Sequence, residues 1–123
     1  NEQSIAFVDF NRAGVPLLEL VTEPVLHSGE EVRLFGEGLQ LLVNYLDISN
    51  ADMEKGEMRV EVNISMSNIV QDDQNNELIN LGQKVEIKNI NSFSASCKAV
   101  EYEISRQTEI LKNGQKVVGE TRG

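Results

Sequence analysis

Apolar positions change their spacing several times along this chain, and each spacing predicts a different element. Met58, Val60, Val62, Ile64 and Met66 alternate with Glu57, Arg59, Glu61, Asn63, Ser65 and Ser67. Successive side chains of a strand point to opposite faces, so this run predicts a strand with one apolar face and one wholly polar face. A second strand is predicted from about Lys84 to Ile90, with Val85, Ile87 and Asn89 on one face and Lys84, Glu86 and Lys88 on the other. Between them Gln71 to Asn80 is polar and rich in Asp and Asn, which predicts a hairpin loop. The sequence does not set the register of the two strands.

Two stretches have helical spacing instead. Ser28 and Glu31 have the S-x-x-E spacing of a capping box, and Val32, Phe35, Leu39, Leu42, Val43 and Leu46 then form an apolar stripe. Gly36 and Gly38 each weaken that helix by roughly 1 kcal/mol relative to alanine, so it must rely on packing. A close approach of another element at these glycines would account for them. The second helix starts near Ser92, with Phe93, Cys97, Val100, Ile104, Thr108 and Leu111 stepping by three and four, and Gly114 stands where a C-terminal cap glycine belongs. Ile5 to Phe10 and Leu17 to Glu23 predict short extended segments separated by a turn at Asn11 to Pro16, and a short extended tail runs from Lys116 to Thr121. The sum is an α+β fold: a mainly antiparallel sheet with two helices on its apolar side and its polar face free. With both helix stripes buried, no exposed apolar patch is expected.

At 123 residues the chain is one domain at most. Its 40% hydrophobic and 25% charged content is ordinary for a soluble protein, and no apolar run approaches the ~20 residues that span a bilayer. The start, Asn1-Glu2-Gln3-Ser4, reads as neither an initiator nor a signal peptide, and suggests a piece of something longer. One cysteine, Cys97, and one histidine, His27, allow neither an internal disulfide nor a structural zinc site. A reducing compartment fits, either the cytoplasm or an organellar matrix. Cys97 reads as a core thiol and His27 as a surface residue. The net charge of −9 repels phosphate backbones, so the chain alone is expected to bind nucleic acid poorly.

Acidic clusters can accompany hard cations. On the polar strand face Arg59, Glu61 and Asn63 stand beside Glu86 and Lys88. Magnesium takes one or two carboxylates plus phosphate and water oxygens, and basic side chains neutralise a transferring phosphoryl group. The spacing permits that chemistry, and it equally suits the charge pairs that decorate an exposed sheet. Glu19, four residues before Glu23, is a carboxylate among apolar neighbours and invites a ligand. Neither a phosphate-binding Gly-rich loop nor a complete nucleophile set is present.

The run Asp9-Phe10-Asn11-Arg12-Ala13-Gly14-Val15-Pro16-Leu17-Leu18-Glu19-Leu20-Val21-Thr22-Glu23-Pro24 resembles the signature of the GatB/GatE family, the B subunits of tRNA-dependent amidotransferases. Three further blocks follow in that family's order: Met53 to Asn63, Val85 to Phe93, and Glu101-Tyr102-Glu103 through Arg106-Gln107 to Glu120-Thr121-Arg122. The stretch 68–82 matches no block.

The resemblance implies an ATP- and magnesium-dependent enzyme. Such an enzyme phosphorylates the side-chain carboxylate of Glu or Asp esterified to tRNA and then amidates it with glutamine-derived ammonia. It implies a cradle-shaped catalytic domain similar in core to glutamine synthetase and guanidino kinases. By motif position Glu19, Glu61 and Glu86 resemble metal-site carboxylates with a catalytic role, and Arg59, Asn63 and Lys88 resemble phosphate or substrate contacts. The implied partners are a glutaminase A subunit, a small C subunit and mischarged tRNA. Residues 1–123 would then be one partial domain, lacking an N-terminal segment with further ligands and a C-terminal tRNA-binding tail, and inactive alone. The alternative is a non-catalytic docking module for the other subunits.

Overall fold

The computed structural model describes residues 6–123. In chain order the elements are α1 (Gly29–Tyr45), β1 (Val60–Ile64), β2 (Ser67–Gln71), β3 (Glu77–Leu81), β4 (Val85–Ile90), α2 (Phe93–Lys112) and β5 (Glu120–Arg122). The expected α+β class holds. β1, β4 and β5 form one sheet in that order, with β1 and β4 antiparallel and β4 and β5 parallel. β2 and β3 form a separate antiparallel hairpin.

Both helices begin where their caps require. The Ser28 Oγ accepts the Glu31 N–H at 3.1 Å, and Glu31 Oε2 accepts the His27 N–H at 2.6 Å, one residue beyond the usual reciprocal bond. Ser92 Oγ accepts the Ala95 N–H at 3.0 Å. α2 ends in a Schellman arrangement: Gly114, at φ 72°, donates to the Leu111 carbonyl and Gln115 donates to that of Ile110.

α2 lies on the sheet and α1 packs mainly on α2. Gly29 and Gly36 of α1 meet α2 at Cys97–Glu101 and at Phe93 respectively, so the two helices run antiparallel. A Cβ at Gly36 would stand 2.5 Å from the Phe93 ring, whereas one at Gly38 meets nothing. One of the two expected close approaches is therefore real. The core joins Val62 and Ile64 of β1 to Val100 of α2, ringed by Val32, Val60, Ile87, Ile90 and Ile104.

Four expectations are corrected. The alternating run from Met58 to Met66 yields only five ladder residues, because the chain turns out of the sheet after Ile64 to enter the hairpin. The polar stretch 71–80 is not one loop, since β3 pairs back along β2 and only the turn around Asp72 to Asn76 is loop. Asp72 organises that turn, its Oδ1 accepting the Gln74 and Asn76 N–H groups. The buried side of α2 is Phe93, Ser96, Val100, Glu103 and Gln107, rotated from the predicted stripe. Cys97 is accordingly half-buried at the helix crossing.

The fourth correction concerns apolar exposure. Leu41 is 72% and Tyr45 84% exposed, and Leu34, Leu42 and Leu46 are open too. α1 is apolar around more of its circumference than α2 can cover. The segments 6–10 and 17–23 form no ladder, and Phe7 and Leu17 are more than nine-tenths exposed. A strand needs a neighbour, and among the described residues none is placed against them. Ile5 lies outside the described residues. The turn between the segments forms as expected, with Ala13 donating to the Phe10 carbonyl and Gly14 at φ 79°.

Candidate functional site

The pairing of β1 with β4 decides what the polar face contains. Asn63 stands opposite Glu86, Val62 opposite Ile87 and Ile64 opposite Val85, and then the register shifts so that Val60 faces Ile90. Glu61 is thus matched by two residues of β4, Lys88 and Asn89. This is a β-bulge on β4, with Asn89 in the left-handed region at φ 60°. The extra residue removes Asn89 from the apolar face where strict alternation puts it, and returns Ile90 to the core. Glu61, Asn63, Glu86 and Lys88 share the side away from α2, and Arg59 sits one residue before β1.

Glu86 is the organised member of this group. Its Oε2 accepts the Thr121 hydroxyl from β5 at 3.0 Å, and its Oε1 lies 3.8 Å from the Lys88 Nζ. Glu61, Asn63 and Lys88 are exposed and Glu86 half-buried. Glu61 and Asn63 make no side-chain hydrogen bond among the described residues, so their oxygens are open to a ligand. Glu19 is exposed on the segment that forms no ladder; that arm touches the body through Arg12, whose Nη2 donates to the Gly56 carbonyl at 3.3 Å. Among the described residues no three His, Cys, Asp or Glu side chains form a group able to hold a metal ion. The face therefore offers Glu61 and Glu86 as a carboxylate pair on adjacent strands, with Glu19 apart from them. That donor set fits a magnesium ion shared with phosphate and water oxygens, which needs only one or two carboxylates, and does not fit an ion caged by protein alone.

Behind the sheet, α2 and β5 carry a polar cluster to which the residue pattern assigned no role. Glu103 and Gln107 are fully buried. Arg106 donates to both Glu103 oxygens at 2.9 and 2.7 Å and lies 3.3 Å from Glu120 of β5. Gln107 Nε2 donates to the Ile64 carbonyl and to Glu103, leaving its own Oε1 unpartnered. Burial acts to push the Glu103 carboxyl up, but the hydrogen bonds from Arg106 and Gln107 and the charges of Arg106 and Arg122 outweigh it and hold the group below the ordinary carboxylate range. The signal for this cluster is Ser96, Glu103 and Gln107 at core spacing with Phe93 and Val100, three polar residues where a plain stripe would be apolar.

Comparison with known proteins bears on the same residues. The family model described as the GatB/GatE catalytic domain matches residues 1–123. The B subunit of the aspartyl/glutamyl-tRNA(Asn/Gln) amidotransferase of Rippkaea orientalis is 50% identical over 117 residues, covering 95% of this chain and 22% of that protein. The corresponding protein of Trichodesmium erythraeum is 46% identical over the same length and coverage. The chloroplastic/mitochondrial glutamyl-tRNA(Gln) amidotransferase B subunit of Oryza sativa subsp. japonica is 50% identical over 121 residues, covering 97% of this chain and 21% of that protein. The chain thus spans about a fifth of the length of these curated relatives. No helix is long and apolar enough to cross a membrane among the described residues. With the match running through both strands of the polar face and through α2, this chain belongs to the GatB/GatE catalytic domain family.

Proposed function

We propose that the free face of the β1–β4 pair is part of the phosphorylation site of an ATP-dependent tRNA amidotransferase. The observation that carries this reading is the register that sets Asn63 opposite Glu86, with Glu61 and Lys88 beside them on one open face. A carboxylate resists attack by ammonia until one of its oxygens becomes phosphate. The side-chain carboxylate of Glu or Asp on tRNA would attack the γ-phosphorus of ATP, releasing ADP. Ammonia would then add to the acyl carbon and expel phosphate, leaving the amide.

Positioning and charge neutralisation dominate such a transfer. Glu61 and Glu86 would hold a magnesium ion, which when bound would supply charge neutralisation for the transfer. Lys88 and Arg59 offset charge on the phosphates, and the Asn63 amide orients them by hydrogen bonding. Glu19 would join as a third carboxylate once its arm is seated. On this reading the 123-residue chain by itself would hold too few ligands to turn over. The glutaminase subunit that delivers the ammonia, the small subunit and mischarged tRNA would be the partners of the whole enzyme. The reading is tested in that enzyme by replacing Glu19, Glu61 and Glu86 together with alanine. Loss of ATP-dependent amidation is expected, and unchanged amidation sinks the proposal. Titration of ATP-magnesium into the isolated chain and its Glu61→Ala variant reports how much of the site the chain holds alone.

The uncovered side of α1 supports a second reading, in which this region also docks the other subunits. Its exposed residues Leu34, Leu41 and Tyr45 follow helical spacing. Leu41→Lys should then weaken co-purification with those subunits while leaving the fold intact.

A further inference from the structure

β5 is only three residues long, yet it contacts both sides of the sheet. Its strand alternation sends Glu120 toward α2, where it meets Arg106 at 3.3 Å, and Thr121 to the opposite side, where its hydroxyl donates to Glu86 at 3.0 Å. The parallel register places Thr121 directly beside Glu86 and Glu120 beside the fully buried Val85. Val117, just upstream, is buried. Arg106 is in turn held by two bonds to the buried Glu103. The buried cluster on α2 is thus linked through Glu120 to the strand that carries the Thr121 hydroxyl.

We infer that Thr121 is a positioning residue for the Glu86 carboxylate, and that the Arg106–Glu120 contact holds β5 in place for it. The inference rests on the reading of the free face given above. A glutamate on an open strand has three rotatable bonds and no fixed orientation. Here Thr121 engages one oxygen and Lys88 approaches the other, so the carboxylate plane is set. An ionised carboxylate oxygen accepts more than one bond, which leaves each oxygen an acceptor direction for a cation or a donor on the substrate. Partners that orient a ligating carboxylate in this way typically change affinity or activity by about 10–100-fold. Thr121 is well suited to the task, because its β-branched stem is stiff at χ1 and favours the extended backbone of β5.

The experiment compares Thr121→Val, Thr121→Ser and Glu86→Gln in the assembled amidotransferase, measuring the KM for ATP-magnesium, kcat for amidation and the thermal midpoint. Thr121→Val keeps the shape and removes the donor, so KM should rise about tenfold, the factor that corresponds to one charge-assisted hydrogen bond, with the thermal midpoint unchanged. Thr121→Ser restores the hydroxyl and should return KM to within about twofold of wild type, a rescue that a purely structural role for the methyl group does not give. Glu86→Gln should lose activity outright. If Glu86→Gln loses activity while Thr121→Val matches wild type, or while Thr121→Ser fails to rescue, the positioning role is overturned and the reading of the face stands. If Glu86→Gln is as active as wild type, or the wild-type assembly amidates without ATP, the reading of the face falls and this inference falls with it.

Discussion

Glu101 of α2 accepts the backbone N–H of Gly29 at 2.7 Å, so one helix supplies an acceptor for the first turn of the other. The first N–H groups of a helix have no partner within it, and a carboxylate there also meets the positive end of the helix dipole. Gly29 is required for the approach, because a Cβ there would stand 2.4 Å from the Cys97 carbonyl oxygen. Glu101→Ala should cost about 1–2 kcal/mol, the loss of a charged acceptor from a buried donor. Urea unfolding followed by far-ultraviolet circular dichroism reads it, and a change below ~0.3 kcal/mol, within the range of a surface substitution, would show that water replaces the bond.

Gly36 and Gly38 should respond to alanine with opposite signs. At Gly38 the added methyl meets open space, and helix propensity predicts a gain of about 1 kcal/mol. At Gly36 it meets the Phe93 ring, and overpacking of about 1–3 kcal/mol outweighs the same propensity gain. Matched denaturation curves decide the matter, and equal stabilisation by both variants would refute the close crossing.

Acid stability should depend on Glu103. Its carboxyl is held below the ordinary value of 4.5, so the unfolded chain takes up that proton more readily than the folded one. The stability it contributes is complete above 4.5 and is lost as pH falls through the lowered folded-state value. Glu103→Gln should therefore flatten the fall in stability as pH drops below 4.5. Glu103→Ala, which strands Arg106 and Gln107, should cost about 2–3 kcal/mol at pH 7. Denaturation midpoints measured across that pH range test both, and parallel acid limbs for Glu103→Gln and wild type contradict the first.

The bulge at Asn89 should tolerate glycine and reject β-branched residues. Its φ of 60° is open to glycine and costly for valine, by about 1–3 kcal/mol. Asn89→Gly should keep stability near wild type and retain amidation by the assembled enzyme. Asn89→Val should lower both, since relaxing the bulge turns Lys88 away from Glu61. An Asn89→Val variant with wild-type kinetics would show that the bulge does not serve the face.

Much of the fold was legible in local pattern. Ser28 and Ser92 marked both helix starts, Gly114 marked the end of α2, and the alternation around Val62 and Ile87 marked the sheet pair. These are signals carried within a few residues, set by unpaired N–H groups and by strand periodicity. The hairpin 67–81 was hidden because its strands mix Asn, Glu and Gln with apolar residues and β3 faces solvent throughout. The bulge was hidden because alternation assumes one residue opposite one. Thr121 and the Glu103–Arg106–Gln107 cluster lay inside a family block, but residue spacing along α2 could not reveal that their partners are Glu86, Ile64 and Glu120.

By itself the sequence determined the α+β class, the two capped helices, the acidic character and the presence of Glu61, Asn63, Glu86 and Lys88 at strand spacing. Tertiary structure alone decided which of these meet. The register sets Asn63 against Glu86, the crossing of α1 on α2 needs Gly29 and Gly36, and β5 returns after a 20-residue helix to put Thr121 on Glu86. Caps and periodicities are local, so neighbouring residues encode them. Contacts between residues far apart in the chain depend on how whole elements pack, and no short stretch of sequence carries that information.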